Sequence, residues 1–172
     1  MRLRKLELRD APFMLEWMHD KNIVEDLRTN FLEKTLEDCE CFIKHSTNDK
    51  ANLNVAIVDE TDTYMGTVSL KSIKEKSAEF GITVRKCALG KGYAIKAMHE
   101  ILRIGFTDMG LERIYWCVSP ENKRAVRFYD KNNFRRIDAV KLGKIEGYTE
   151  QQIKFYIWYV ETMQDNTERD RA

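Results

Sequence analysis

The sequence predicts a single α/β (α+β) domain, a mixed and mostly antiparallel sheet of about seven strands flanked by helices, in the order βααβββαβαββ. Three observations carry this. Between residues 53 and 84 three runs, LNVAIV, TYMGTVSL and AEFGITV, read as strands separated by the polar turns DETD and KEKS, so neighbouring strands form an antiparallel meander. On both sides of that block apolar residues recur at helical spacing instead. The helix after AEFGITV leads into ERIYWCV, a right-handed βαβ crossover that makes those two strands parallel.

The elements follow in order. Residues 2–8 set Leu3, Leu6 and Leu8 among charges and read as a short strand. Asp10 is placed to cap a first helix with Pro12 in its first turn, and Phe13, Met14, Trp17 and Met18 make its buried face. Residues 35–45 read as a second helix, capped by Thr35 with acids in the first turn. After the meander, Ala94, Met98, Ile101, Leu102, Gly105 and Met109 repeat at helical spacing, and this helix ends near Gly110. In SPENKRAVRFYDKNN a further helix opens on Ser119 with Pro120 at its first position and closes with Asn133, a residue that tolerates the left-handed conformation. Residues 134–140 and 153–160 supply two final strands. The domain is expected over 1–162, with 163–172 a polar, frayed tail.

Composition narrows the function classes. A chain of 172 residues with 43% hydrophobic and 33% charged residues reads as one soluble globular domain with a real core. A formal charge of +1 gives no case for a nucleic-acid partner. Cys39, Cys41, Cys87 and Cys117 form no CxxC pair and lack zinc-site spacing, and Cys87 and Cys117, in or beside apolar strands, are expected as buried free thiols in a reducing compartment. His19, His45 and His99 are scattered, so no metal is assigned. No apolar run approaches the ~20 residues of a membrane span, and MRLRKLELRD is not a signal peptide, so no membrane partner and a cytoplasmic location are expected.

The stretch ALGKGYAIKAM sets Gly90 and Gly92 on either side of Lys91 where a strand hands over to a helix. Such a turn exposes free N–H groups at the positive end of a helix, which favours an anion and phosphate above all. A tight turn with no ligand is the alternative. No Gly-Lys-Ser or Gly-Lys-Thr occurs, which excludes a P-loop, and Ile95 stands where a dinucleotide fingerprint needs a small residue.

These residues resemble the GNAT superfamily of acyl-CoA N-acetyltransferases. Its pattern, Gln/Arg-x-x-Gly-x-Gly/Ala at a strand-to-helix turn, matches Leu89-Gly90-Lys91-Gly92-Tyr93-Ala94 except at Leu89. A second motif, Asn-x-x-Ala/Ser with an aromatic pair ending in Tyr and then Gly-Phe, matches Asn122, Ala125, Phe128, Tyr129 and Asn133-Phe134, with Asn133 in the glycine's place. The segments AEFGITV and GKGYA look like those of polyamine and ribosomal-protein N-terminal acetyltransferases, and MLEWMHD is similar to amino-sugar acetyltransferases.

The resemblance implies acetyl-CoA as co-substrate, with no metal. Residues 89–94 would hold its pyrophosphate, Lys91 adding charge, while the strand at Ile82, Thr83 and Val84 would pair with pantetheine and offer a backbone N–H to the oxyanion. Asn122 belongs to the same cofactor-binding set, and Lys123, Arg124, Arg127 and Lys131 would reach the adenosine phosphates or else form a solvated basic face. Acetyl transfer to an amine also needs a proton acceptor and a partner for the departing thiolate. Glu79, on one strand face with Gly81 and Thr83, is the candidate base, or a salt-bridged glutamate, and Tyr129 is the candidate acid. An acyl-Cys route through Cys87 or Cys117 has no base beside it in sequence, so direct transfer is expected. The acceptor is a small-molecule primary amine or a peptide N-terminus: polyamine, protein N-terminus or amino sugar. Glu33, Glu37, Asp38 and Glu40 would attract a basic acceptor or simply begin a helix. A non-catalytic acyl-CoA-binding regulatory domain on the same fold is the alternative function. Edge strands near the C-terminus are compatible with a homodimer.

Overall fold

The three runs between residues 53 and 84 are strands in the computed structural model, which describes residues 1–143 and 145–165. The strands are β1 (Arg2–Lys5), β2 (Leu53–Val58), β3 (Tyr64–Lys74), β4 (Ser77–Val84), β5 (Arg113–Val118), β6 (Arg135–Ile137) and β7 (Ile157–Thr162). They form one sheet in the order β1-β2-β3-β4-β5-β7-β6, in which β4 and β5 are the parallel pair. The helices are α1 (Ala11–Met18), α2 (Lys21–Val24), α3 (Leu36–Ser46), α4 (Tyr93–Arg103), α5 (Lys123–Lys131) and α6 (Glu150–Phe155).

Helices cover both faces of the sheet. Ala97, Met98, Ile101 and Leu102 of α4 are fully buried against Val68, Leu70, Phe80 and Trp116, and each larger side chain contributes about 1.5–3 kcal/mol by leaving water. On the other face Met14, Trp17 and Met18 of α1 and Cys39 and Ile43 of α3 pack over Ala56, Val58 and Tyr64. Phe13 is only partly buried there. A Cβ at Gly105 would lie 2.7 Å from Ile114 Cδ1, so glycine lets the turn after α4 press onto β5. Among the described residues no helix is long and apolar enough to cross a membrane.

Several boundaries differ from expectation, each for a local reason. The first strand stops at Lys5 because Glu7 and Asp10 close a capping box around the turn Leu8–Asp10. Asp10 therefore does not cap α1; its carboxylate accepts from the Glu7 N–H and from both terminal nitrogens of Arg4. The short helix α2, absent from the expected order, is capped by Asp20. Thr35 caps α3 as expected, with Asp38 completing the box, so at least one of the acids there serves the helix itself. The second motif's helix begins at Lys123, with Asn122 as its cap accepting from Ala125 N–H, while Ser119 and Pro120 belong to the preceding turn. Asn133 does adopt positive φ, at 58°. The strand expected over 134–140 is confined to β6, and that expected from 153 starts at Ile157, since Thr149 and Gln152 cap α6. Cys87 is exposed in a short turn over Lys86–Ala88 and not buried. Of the expected tail, 166–172 lie outside the described residues, and 163–165 form a helical turn in which Asp165 accepts from the Thr162 N–H and hydroxyl.

Candidate active site

Strands β4 and β5 pair only where Ser77–Glu79 meets Arg113–Tyr115. Beyond that point β4 runs on to Val84 and β5 to Val118 without pairing to each other, so the sheet opens as a wedge. The Arg85 N–H donates to Met65 at 2.8 Å, and strand alternation then turns the amides of Gly81 and Thr83 toward β3. The amides of Phe80, Ile82 and Val84 consequently face the wedge.

On one side of the wedge lies a groove of about 620 Å³, walled by β4, the glycine turn, the start of α4, and α5. Gly90 and Gly92 sit at φ 72° and 80°, and a Cβ at either would meet nothing within 4 Å. Backbone conformation, not crowding, therefore requires glycine at both positions. As the N-cap of α4, Gly92 brings no side chain to the first-turn amides, which stay available to an anion. Leu89 lines the groove while packing on the core, and Ala94, Ile82, Thr83, Val84 and Asn122 line it too. Lys123, Arg124, Arg127 and Lys131 add four cations, and no carboxylate lines the groove among the described residues. Lys91 and Tyr93, expected beside them, instead line a separate cleft with Asp59, Glu60 and Lys96.

Across the wedge is a smaller cavity of about 200 Å³ that contains Glu79, Lys71, Cys117, Tyr148 and Arg28. Glu79 Oε1 accepts from Lys71 Nζ and from the Tyr148 hydroxyl, both at 2.9 Å. The Cys117 thiol donates to the Tyr148 oxygen at 3.4 Å. Among the described residues both contacts to Glu79 fall on Oε1, which leaves Oε2 for a further partner. Burial holds the Tyr148 phenol well above its ordinary range, and pushes the Cys117 thiol up to about 11, so both keep their protons at neutral pH.

The groove and the smaller cavity share three lining residues: Ile82, Asn122 and Tyr129. The Tyr129 ring is fixed against Trp116, Phe134 and Tyr159, with centroids 5.3, 6.0 and 5.1 Å away, and burial raises its phenol far above the ordinary value. Two arrangements were not singled out from the sequence alone. Lys71 stands opposite Glu79 in the β3–β4 register, a pairing that the turn at Glu75 and Lys76 alone would not give, since it sets Lys74 opposite Ser77 and the register then shifts between Lys71 and Lys74, where Ser72 has φ 50°. Tyr148 and Arg28 arrive from distant loops and leave no local pattern. Among the described residues no three His, Cys, Asp or Glu side chains gather as metal ligands.

Comparison with known proteins places this geometry among relatives. A family model described as "Acetyltransferase (GNAT) domain" matches residues 1–135. A spermidine N(1)-acetyltransferase of Vibrio cholerae is 31% identical over 134 residues, which is 77% of each chain. The uncharacterized N-acetyltransferase p20 of Bacillus licheniformis is 29% identical over 139 residues, 78% of each chain. The crystal structure of spermidine N-acetyltransferase from Vibrio cholerae in complex with CoA and spermine shares the fold with a TM-score of 0.79, at 24% identity over 96% of this chain and 97% of that one.

Proposed function

The chain belongs to the GNAT acetyltransferase family and is an acetyl-CoA-dependent N-acetyltransferase, and from that premise we propose that it passes the acetyl group directly to a primary amine where the groove and the smaller cavity meet. The meeting of those spaces at Ile82, Asn122 and Tyr129 carries the reading: a thioester entering from the groove and an amine entering from the other side have one place to touch.

The groove fits acetyl-CoA. Its four cations and the open first turn of α4 suit the phosphates. The Ile82 amide, turned into the wedge, is the donor for the tetrahedral oxyanion. Glu79 accepts the proton that the amine sheds as its nitrogen bonds to the acyl carbon. The C–S bond then breaks and the thiolate leaves beside Tyr129. With its phenol raised by burial, Tyr129 meets that sulfur as a hydrogen-bond donor; full proton transfer to a thiolate of pKa about 8.5 would run uphill, so the final proton comes from solvent. Cys117, held as a neutral thiol, supports direct transfer over an acyl-Cys route.

The test is mass-spectrometric detection of acetylated product from acetyl-CoA and a panel of primary amines, with Glu79→Gln beside the wild type. The reading expects acetylated amine from the wild type and at least about tenfold slower turnover in Glu79→Gln. Equal turnover in both removes Glu79 from the chemistry.

A further inference from the structure

A third cavity, of about 350 Å³, lies beneath α1 and α3 and reaches the same junction, since Thr29, Phe31, Lys71, Gly81 and Ile82 line both it and the smaller cavity. Resting on the reading above, we infer that the acceptor is a monoamine with an uncharged body, an apolar frame bearing a hydroxyl or amide, and that this third cavity takes the body.

Its walls say what the body is. Met14, Trp17, Met18, Phe31 and Phe42 make them largely apolar. Polar groups come in a fixed order on one face of β3. The Trp17 indole N–H donates to Tyr64 Oη at 3.1 Å, and Tyr64 lies 2.7 Å from Thr67 Oγ1. Either oxygen can donate in that pair; because Tyr64 already accepts from Trp17, the arrangement that also uses its own proton has Tyr64 donating to Thr67, and the Thr67 hydroxyl then keeps its own to donate. Two residues on, the Ser69 hydroxyl donates to Asn54 Oδ1 at 2.7 Å, which leaves Ser69 Oγ as an acceptor. The cavity thus presents one hydroxyl donor and one acceptor on an apolar surface, which matches an alcohol or amide.

The charges argue against a polycation. Lys71 is paired with Glu79, and Lys34 lies 3.9 Å from Asp38, whose other oxygen caps α3. Across both cavities Asp26, Asp38 and Glu79 equal Arg28, Lys34 and Lys71 in number among the described lining residues, although Arg28 bonds to Gly147 and not to Asp26. In the third cavity itself Asp38 is the lining carboxylate among the described residues, and it already serves Lys34 and the cap of α3, so a second ammonium carried there would bear most of its desolvation cost alone. The relative named for spermidine therefore does not transfer its acceptor to this chain by similarity.

The experiment compares aminohexanol with diaminohexane, which match in length and differ in a terminal hydroxyl against a second ammonium. We expect kcat/KM about tenfold higher for aminohexanol. Thr67→Val should lower that value severalfold more than it lowers the value for hexylamine, and be rescued by Thr67→Ser. Calorimetric binding of the same pair to the CoA-loaded protein gives a readout that needs no turnover. Preference for the diamine, or equal use of the two, in either measurement overturns the inference, as does equal loss of aminohexanol and hexylamine in Thr67→Val. Aminohexanol bound more tightly than the diamine but never acetylated would instead overturn the reading of the junction, and would leave the third cavity's assignment standing.

Discussion

The Tyr148 hydroxyl donates to Glu79 Oε1 at 2.9 Å, joining the loop before α6 to β4 where its pairing with β5 ends. Tyr148 is itself held from outside, with the Arg28 guanidinium 4.1 Å over its ring and Arg28 Nη1 donating to Gly147 O at 2.5 Å. Lys71 reaches the same carboxylate oxygen from β3. Glu79 is thereby fixed from two sides with one oxygen left over.

Removing only the hydroxyl tests that arrangement. Tyr148→Phe keeps the ring beneath Arg28 and deletes the bond to Glu79. A neutral donor to a carboxylate contributes about 1.5–3 kcal/mol, and its loss frees the carboxylate to rotate. The expected outcome is kcat lowered about tenfold with the KM for acetyl-CoA unchanged, measured by steady-state kinetics. A change confined to that KM would place Tyr148 with the cofactor groove.

Tyr129→Phe separates packing from chemistry in the same way. The ring contacts with Trp116, Phe134 and Tyr159 survive the substitution, so the melting temperature should stay within a few degrees. Turnover at saturating acetyl-CoA should fall by about tenfold to a hundredfold through loss of the donor to sulfur. Thermal denaturation and turnover measured on one preparation decide it, and unchanged turnover would remove Tyr129 from the leaving-group role.

Which parts of this were legible follows from how local each signal is. The meander and the crossover rest on alternation and helical spacing within single segments, and both stand in the structure. Thr35 as a cap is readable for the same reason; Thr149 with Gln152 forms the same kind of box at α6, inside a stretch whose apolar residues from 153 read as a strand. At the site, Glu79 and Tyr129 are legible from their strand and from the second motif. Tyr148 is not, because its link to Glu79 spans 69 residues and no spacing rule connects them. Lys91 shows the converse: a lysine inside a glycine turn suggests charge for the bound anion, but its side chain leaves on the far side of the turn.

The basic groove offers a test by cosubstrate dissection. Lys123, Arg127 and Lys131 line it together without a carboxylate among the described lining residues. If they serve the 3′-phosphate, changing all three to Gln should raise the KM for acetyl-CoA about tenfold and leave that for acetyl-dephospho-CoA nearly unmoved. The wild-type KM for acetyl-CoA should also climb with salt, as exposed charges are screened. An equal rise for both cosubstrates in the triple variant would assign the three side chains to the pyrophosphate or to general attraction.

Alkaline stability carries the last prediction. Burial pushes the Cys117 thiol from its ordinary 9.0 to about 11 in the folded chain. Below pH 9 both folded and unfolded states hold the proton, and the stabilising contribution is fully present. As pH rises from 9 toward 11 the unfolded chain loses its proton first, so unfolding releases a proton and stability declines through that window. The slope is at most about 1.4 kcal/mol per pH unit from this one group. The Cys39 thiol is raised by burial too and shares the window from pH 9, while Tyr64, Tyr129 and Tyr148 take over above their ordinary value of 10.0, so the Cys117 contribution is read between pH 9 and 10 as the difference between wild type and Cys117→Ala. Urea midpoints across that stretch should fall more steeply for the wild type than for Cys117→Ala, which keeps the decline due to Cys39. The same protonation predicts that a thiol-alkylating reagent at mildly alkaline pH modifies the exposed Cys41 and Cys87 well before Cys117. Equally fast modification of Cys117 would mean that its thiolate is accessible, and would return the acyl-Cys route to consideration.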